Sequence, residues 1–287
     1  MTSQAFPLPH EDIRPNPAYG SGFGRRKILL VSEGDQVFVH LIDVIHHLRC
    51  TITHDGVAIT AVTGEMLRYP TNMCPGAPGM LGKMIGTRLD ATGAVLSPGA
   101  FSVQQCTHLK DMALLAMRHA LRDERVRMYE AIVEDEAVGG QGALAEVFCN
   151  DRSVLRWRIV DDTLIEPAAF AGRPLSRGFF RWAPEALAPD DLEAAGILAK
   201  TLFISASRRW TAQSLTDFPL ADMPIMKDAC FAAAPDRIAG ARYLGTNQVG
   251  PDDSLFDMTK ELTRHGLLPE QGSRSDRTDG KATHERP

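Results

Sequence analysis

Between Arg26 and Tyr69 the apolar positions follow a β rhythm. "KILLV" is apolar and β-branched, "EGD" (Glu33 to Asp35) is a turn, and "QVFVHLIDVI" is a second apolar run. "HLRCTITHDGVAITAV" places two alternating segments around Asp55-Gly56, a pair that tolerates positive φ and so predicts a hairpin. Period-two alternation puts Leu48, Cys50, Ile52 and His54 on one face, expected to be buried. His47, Arg49, Thr51 and Thr53 take the other face.

The pattern then changes. "RYPTNMCPGAPGMLG" is a proline–glycine loop with a short helix over 77–85, and "DATGAVLSPGAF" is a turn-rich linker. "CTHLKDMALLAMRHALRD" predicts a helix from Thr107, as N-cap, to about Arg122. At 100° per residue, His108, Asp111, Leu115 and His119 share one stripe, flanked by Met112 and Ala116. An otherwise apolar helix of this kind is usually buried. "RVRMYEAIVED", "ALAEVFC", "SVLRWRIV" and "TLIEP" read as an antiparallel meander. A second helix starts at Pro189-Asp190-Asp191 and runs to about Ser205, and 211–250 is irregular. Strands, helix, strands, helix predict an α+β fold of antiparallel meanders around a central helix. Residues 1–24 read as an extended arm, 25–250 as one domain, and 251–287 as a tail, disordered from about 269.

Composition narrows the functional classes. The net charge of −5 argues against a nucleic-acid partner. Arg25-Arg26-Lys27 is the densest basic run and reads as a solvated cluster before a strand. "GSGFG" at Gly20–Gly24 follows the arm and leads into a strand, the wrong context for a phosphate loop. Cys50, Cys74, Cys106, Cys149 and Cys230 are scattered, with no CxxC pair, as expected of reduced thiols in a cytoplasm. No secretory signal and no apolar run of about 18 residues is visible, so neither secretion nor a membrane span is expected.

Four of the nine histidines fall between His40 and His54, beside Asp43 and Asp55. His46 and His47 are adjacent, so on a regular strand they point to opposite faces and do not make a ready metal pair. Asp55 is first a turn residue. Asp43 sits in an apolar run and needs a partner if buried. Arg68, Tyr69 and Cys74 introduce the proline loop, and Cys106, His108, Lys110 and Asp111 surround the helix start, where the dipole would favour a thiolate. These three clusters can converge as the walls of a pocket. The candidate catalytic residues are His40, Asp43, His47, His54, Tyr69, His108 and Lys110. The candidate substrate-binding residues are Arg68, Cys74, Asp111, Met112 and His119, with no cofactor and no metal.

"HDG", "RYP", "CPGA" and "CTHLKDMALLAMRHA", with the early "GRRKI" and late "FAGRPLSRGFFRWA", resemble the bacterial DUF 2889 family, from roughly Gly24 to Gly245. The resemblance implies an accessory enzyme of aromatic catabolism: a cofactor-free lyase that releases formaldehyde from lignin-derived dimers. It supplies no catalytic list, so the residues above rest on position and chemistry. Two other classes stand beside it. One is a metal-assisted hydrolase or lyase using His47, His54, His108 and Asp111. The other is a non-catalytic small-molecule binding or assembly protein, whose polar residues are structural. An exposed meander edge suggests a homodimer.

Overall fold

A computed structural model describes residues 12–90, 104–136, 140–245 and 253–269. The expected linker at 91–101, the first part of the arm and the tail beyond 269 lie outside them. The chain divides into a large unit ending at Phe256 and a small unit from Asp257 that contains α4 (Thr259–Arg264).

The large unit is built on one eight-stranded antiparallel sheet. Its strands are β1 (Phe23–Glu33), β2 (Gln36–Asp43), β3 (His47–His54), β4 (Ile59–Arg68), β5 (Val126–Glu134), β6 (Ala143–Cys149), β7 (Arg152–Val160) and β8 (Thr163–Glu166). Their order is β4-β3-β2-β1-β5-β6-β7-β8. Both predicted meanders therefore exist, and β1 pairing with β5 fuses them into one sheet. The α+β class and the central helix are as the periodicity implies. The helix does not sit between two sheets, however. α1 (Thr107–His119) crosses back from edge strand β4 to β5 along one face.

Alternation decides which face that is. Ile28 and Leu30 of β1, Val37 and Val39 of β2, and Leu48, Cys50 and Ile52 of β3 are buried in one core with Leu109, Met112 and Ala116 of α1. Burial of each large side chain stabilises the fold by roughly 1.5–3 kcal/mol. His54 ends this series half-buried, because the β3–β4 register slips between Thr53 and His54. α3 (Pro189–Ser205) covers β1 and β5 on the same face as α1, and its bounds match those read from the sequence. Its first turn is tied to the last turn of α1. The buried Glu193 carboxylate receives Arg118 at 3.0 Å, Arg122 at 3.1 Å and the Tyr129 hydroxyl at 2.6 Å. The two helices therefore run antiparallel.

Three local readings change. The predicted short helix is a 3-10 helix over Cys74–Met84. α1 starts one residue early, with Cys106 rather than Thr107 at the cap position and no side-chain cap, and it ends at His119. A helix absent from the sequence reading, α2 (Phe179–Ala186), buries Phe179, Trp182 and Ala183 despite an internal Pro184. The basic run is not a solvated cluster. Arg26 is 2 % exposed, because its even position turns it with Ile28 and Leu30 to the helix-covered face.

The glycines of "GSGFG" have a packing role. A Cβ on Gly24 would lie 1.8 Å from Ser205 Oγ and 3.1 Å from the Ser205 Cα at the end of α3. Gly24→Ala is expected to destabilise the fold by about 1–3 kcal/mol through overpacking. Urea unfolding measures it, and an unchanged midpoint would show that α3 shifts freely.

Candidate active site between α1 and the β2–β3 turn

The site begins with a turn. β2 ends at Asp43 and β3 starts at His47, so Asp43 to His46 form a four-residue connection in which Asp43 N–H donates to the His46 carbonyl at 2.9 Å. Asp43 Oδ1 accepts the backbone N–H groups of Ile45 at 2.8 Å and His46 at 2.7 Å, an Asx-type turn. The same oxygen lies 3.1 Å from His46 Nδ1. Oδ2 accepts from Arg26 Nη2 at 2.8 Å, across the directly paired Arg26 and Asp43. Arg68 clamps the turn from outside, donating to the carbonyls of Asp43, Ile45 and His46.

The first turn of α1 brings in His108. Its ring stands against that of His46, with centroids 4.0 Å apart and planes tilted by 32°. Its Nε2 is buried and has no hydrogen-bond partner among the described residues. One turn on, Asp111 meets Lys200 of α3 at 3.2 Å. Between α1 and α3 lies a cleft of about 40 Å³. Arg26, Ile28 and Leu41 contribute from the sheet, His108, Asp111, Met112 and Leu115 from α1, and Glu193, Gly196, Ile197 and Lys200 from α3, with Phe180 beside them.

Electrostatics set the protonation states. Burial works to raise the Asp43 carboxyl, but the facing His46 and Arg26 outweigh it and hold it well below the ordinary carboxylate value. Burial, reinforced by His46, Arg26 and Lys200, holds His108 well below the ordinary imidazole value, against the pull of Asp43. Near neutral pH the cluster is thus a buried carboxylate, an imidazole oriented by it, and a second, neutral imidazole with an open nitrogen. On the cleft itself the cations are Arg26 and Lys200, and the carboxylates are Asp111 and Glu193.

Asp43, His46 and His108 are also of metal-ligating type, with one ligand atom each within 4.8 Å of the others. The donor set fits a cation poorly. Oδ1 already accepts from two backbone N–H groups and faces His46, and Oδ2 holds a guanidinium. A divalent ion would have to displace a buried positive charge.

The structure gathers Asp43, His108, Asp111 and Met112 from the expected set, and places Arg68 behind the turn rather than on the cleft. The other candidates lie apart. His40 is buried, but its even position puts it on the opposite sheet face from Asp43. His47 likewise points away from Leu48. His54 sits at the β3–β4 corner, where it accepts the Gly56 N–H. Metal ligation by His47, His54, His108 and Asp111 together is therefore not a set the fold assembles. Tyr69 and Cys74 pack with Leu220 and Ala241 in a separate apolar cluster. Lys110 is two positions from His108 and leaves the cleft-facing stripe, where Lys200 takes the place of a cation. His119 is about 16 Å along the helix from His108 and approaches the Arg125 carbonyl at 3.3 Å. Cys106 carries no activated thiolate, because burial raises its thiol to about 12, overriding the helix end. Cys74 is likewise raised to about 11.

Sequence reasoning missed His46, Arg26 and Lys200 as site residues. The signal for His46 was present in "IDVIHH", since an Asp two and three residues before free N–H groups is an Asx-turn former.

Residues 32–122 match the model of a family described as Protein of unknown function (DUF2889). The family resemblance thus holds over about a third of the chain, less than the Gly24 to Gly245 span expected for it. The DUF2889 segment contains Asp43, His46, Arg68, His108 and Asp111, while Arg26 and Lys200 lie outside it. No curated protein and no solved structure matches the chain.

Proposed function

We propose that the protein is a lyase that uses acid–base chemistry, without a cofactor, on a phenolic aromatic substrate. The observation that carries the proposal is the buried, unpartnered Nε2 of a neutral His108 beside the Asp43–His46 pair. A buried nitrogen left open is costly in a purely structural role and useful in a base. Lys200 and Arg26, the two cations on the cleft, would hold a phenolate. Electrons from the phenolate expel the benzylic oxygen substituent and give a quinone methide. His108 Nε2 takes the proton of the side-chain hydroxyl, and the adjacent C–C bond breaks. Formaldehyde leaves, its bonding pair restores the phenolate and forms the stilbene double bond, and the expelled oxygen takes up a proton. The hydrogen bond to Asp43 leaves His46 Nε2 as the atom that delivers this proton.

The lyase assignment also rests on the family resemblance. Its direct test is incubation of the purified protein with a panel of phenolic lignin-type dimers, with formaldehyde and stilbene as readouts. Equal yields of both are expected, unchanged by a chelator. Activity lost in chelator and restored by a divalent metal would replace the acid–base reading with a metal one. Binding without turnover across the panel would favour a non-catalytic binding protein. A cytoplasmic homodimer, with edge strand β4 as the surface for pairing, completes the proposal, since the outer side of β8 already bonds Gly172 and Arg173. Among the described residues no helix is long and apolar enough to cross a membrane.

A further inference from the structure

Gly196 lies in the middle of α3, on the wall of the α1–α3 cleft. A helix-interior glycine is less favourable than alanine because its backbone loses more freedom on folding. Two structural reasons would justify keeping it, and neither applies. Its φ is not positive, and a Cβ built on it would meet nothing within 4 Å. Neither backbone conformation nor packing excludes a side chain there. What a side chain would enter is the cleft.

The cleft has a direction. Glu193, Gly196 or Ile197, and Lys200 form one stripe of α3, facing the Leu115–Met112–Asp111–His108 stripe of the antiparallel α1. Cations and His108 mark one end, and the Glu193 network closes the other. Between them the lining is Met112, Leu115, Ile197 and Phe180, all apolar and polarisable.

We propose that Gly196 is a specificity-determining position that keeps this apolar stretch open for a flat aromatic ring whose anionic oxygen lies at the Lys200–Arg26 end. The inference rests on the phenolic reading of the same site and names how the ring is admitted. The present volume of about 40 Å³ holds water but is small for a ring. Entry therefore requires the half-exposed Phe180 and Lys200 side chains at the rim to swing outward.

The test uses para-nitrophenolate, a coloured aromatic anion whose absorbance reports binding without turnover, on wild type, Gly196→Ala and Gly196→Leu. Gly196→Ala is expected to raise Tm by about 2–4 °C through helix propensity and to weaken binding. Gly196→Leu is expected to weaken it about ten- to hundredfold. Phenolic-dimer KM should rise in the same order with kcat less affected. A raised Tm with wild-type affinity in Gly196→Ala overturns the proposal, and this holds even if Gly196→Leu does not fold. Wild type that turns over a dimer yet does not bind the probe overturns this inference and leaves the lyase reading standing. Graded probe binding with no turnover of any dimer does the reverse.

Discussion

Arg26→Met is expected to destabilise the protein by about 3–5 kcal/mol at neutral pH, the usual cost of leaving a buried charge unpaired. The Arg26 and Asp43 side chains are 3 % and 1 % exposed and meet at 2.8 Å. Methionine preserves length and apolar contacts with the strand face, so the loss isolates the charge. Asp43 would keep the Ile45 and His46 N–H groups, which limits the damage to the turn. The pH dependence gives a second check. A depressed carboxyl contributes stability above its unfolded value, near about 3.9, and that contribution is lost as pH falls through the folded value. Removing Arg26 shrinks the depression, so the difference between wild type and variant should be largest at neutral pH and narrow toward acid. Urea unfolding at several pH values measures this. A constant or absent difference would mean that Arg26 is not what holds Asp43 ionised.

That the largest stability effect falls in a run read as surface charge shows where sequence periodicity stops. Most strands were legible, because Leu48, Cys50 and Ile52, or Tyr129, Ala131 and Val133, alternate cleanly into one core. α3 was legible from its proline and acidic start. α2 was not, because eight residues give barely two turns, and Pro184 with three neighbouring aromatics suggests a break. Arg26 obeyed the same parity as Ile28, but its charge argued for solvent until Asp43 was placed opposite it. That pairing is a register, and register is a tertiary fact. The site shows the same division. His108 and Asp111 could be read from one helix stripe. Their partners come from a turn and from α3, 92 positions beyond His108 in the case of Lys200. Parity reasoning separated His46 from His47 correctly, but parity holds only within a strand, and Asp43 meets His46 because a turn reverses the chain between them.

His108→Gln is expected to lower turnover of a phenolic dimer by about 10²–10⁴-fold, the range for loss of a general base, with KM changing less. Loss of activity alone would not separate a base from a structural residue, so the decisive readout is stability against pH. His108 is buried with its proton affinity depressed. The unfolded chain therefore takes up a proton at this position as pH falls below about 6.5, and the folded protein does not. Wild-type stability should drop in that window by up to about 1.4 kcal/mol per pH unit for this group, in addition to a smaller contribution from the also depressed His119. Glutamine does not titrate. The variant should therefore keep the His119 part of the slope and lose the rest, whatever its absolute stability at neutral pH. A slope identical to wild type would mean that His108 is not held neutral in the fold, and the base assignment would fall with it. A flattened slope with normal turnover would instead leave a neutral buried imidazole whose open Nε2 does no chemistry, and the proton would have to be taken by the Asp43–His46 pair.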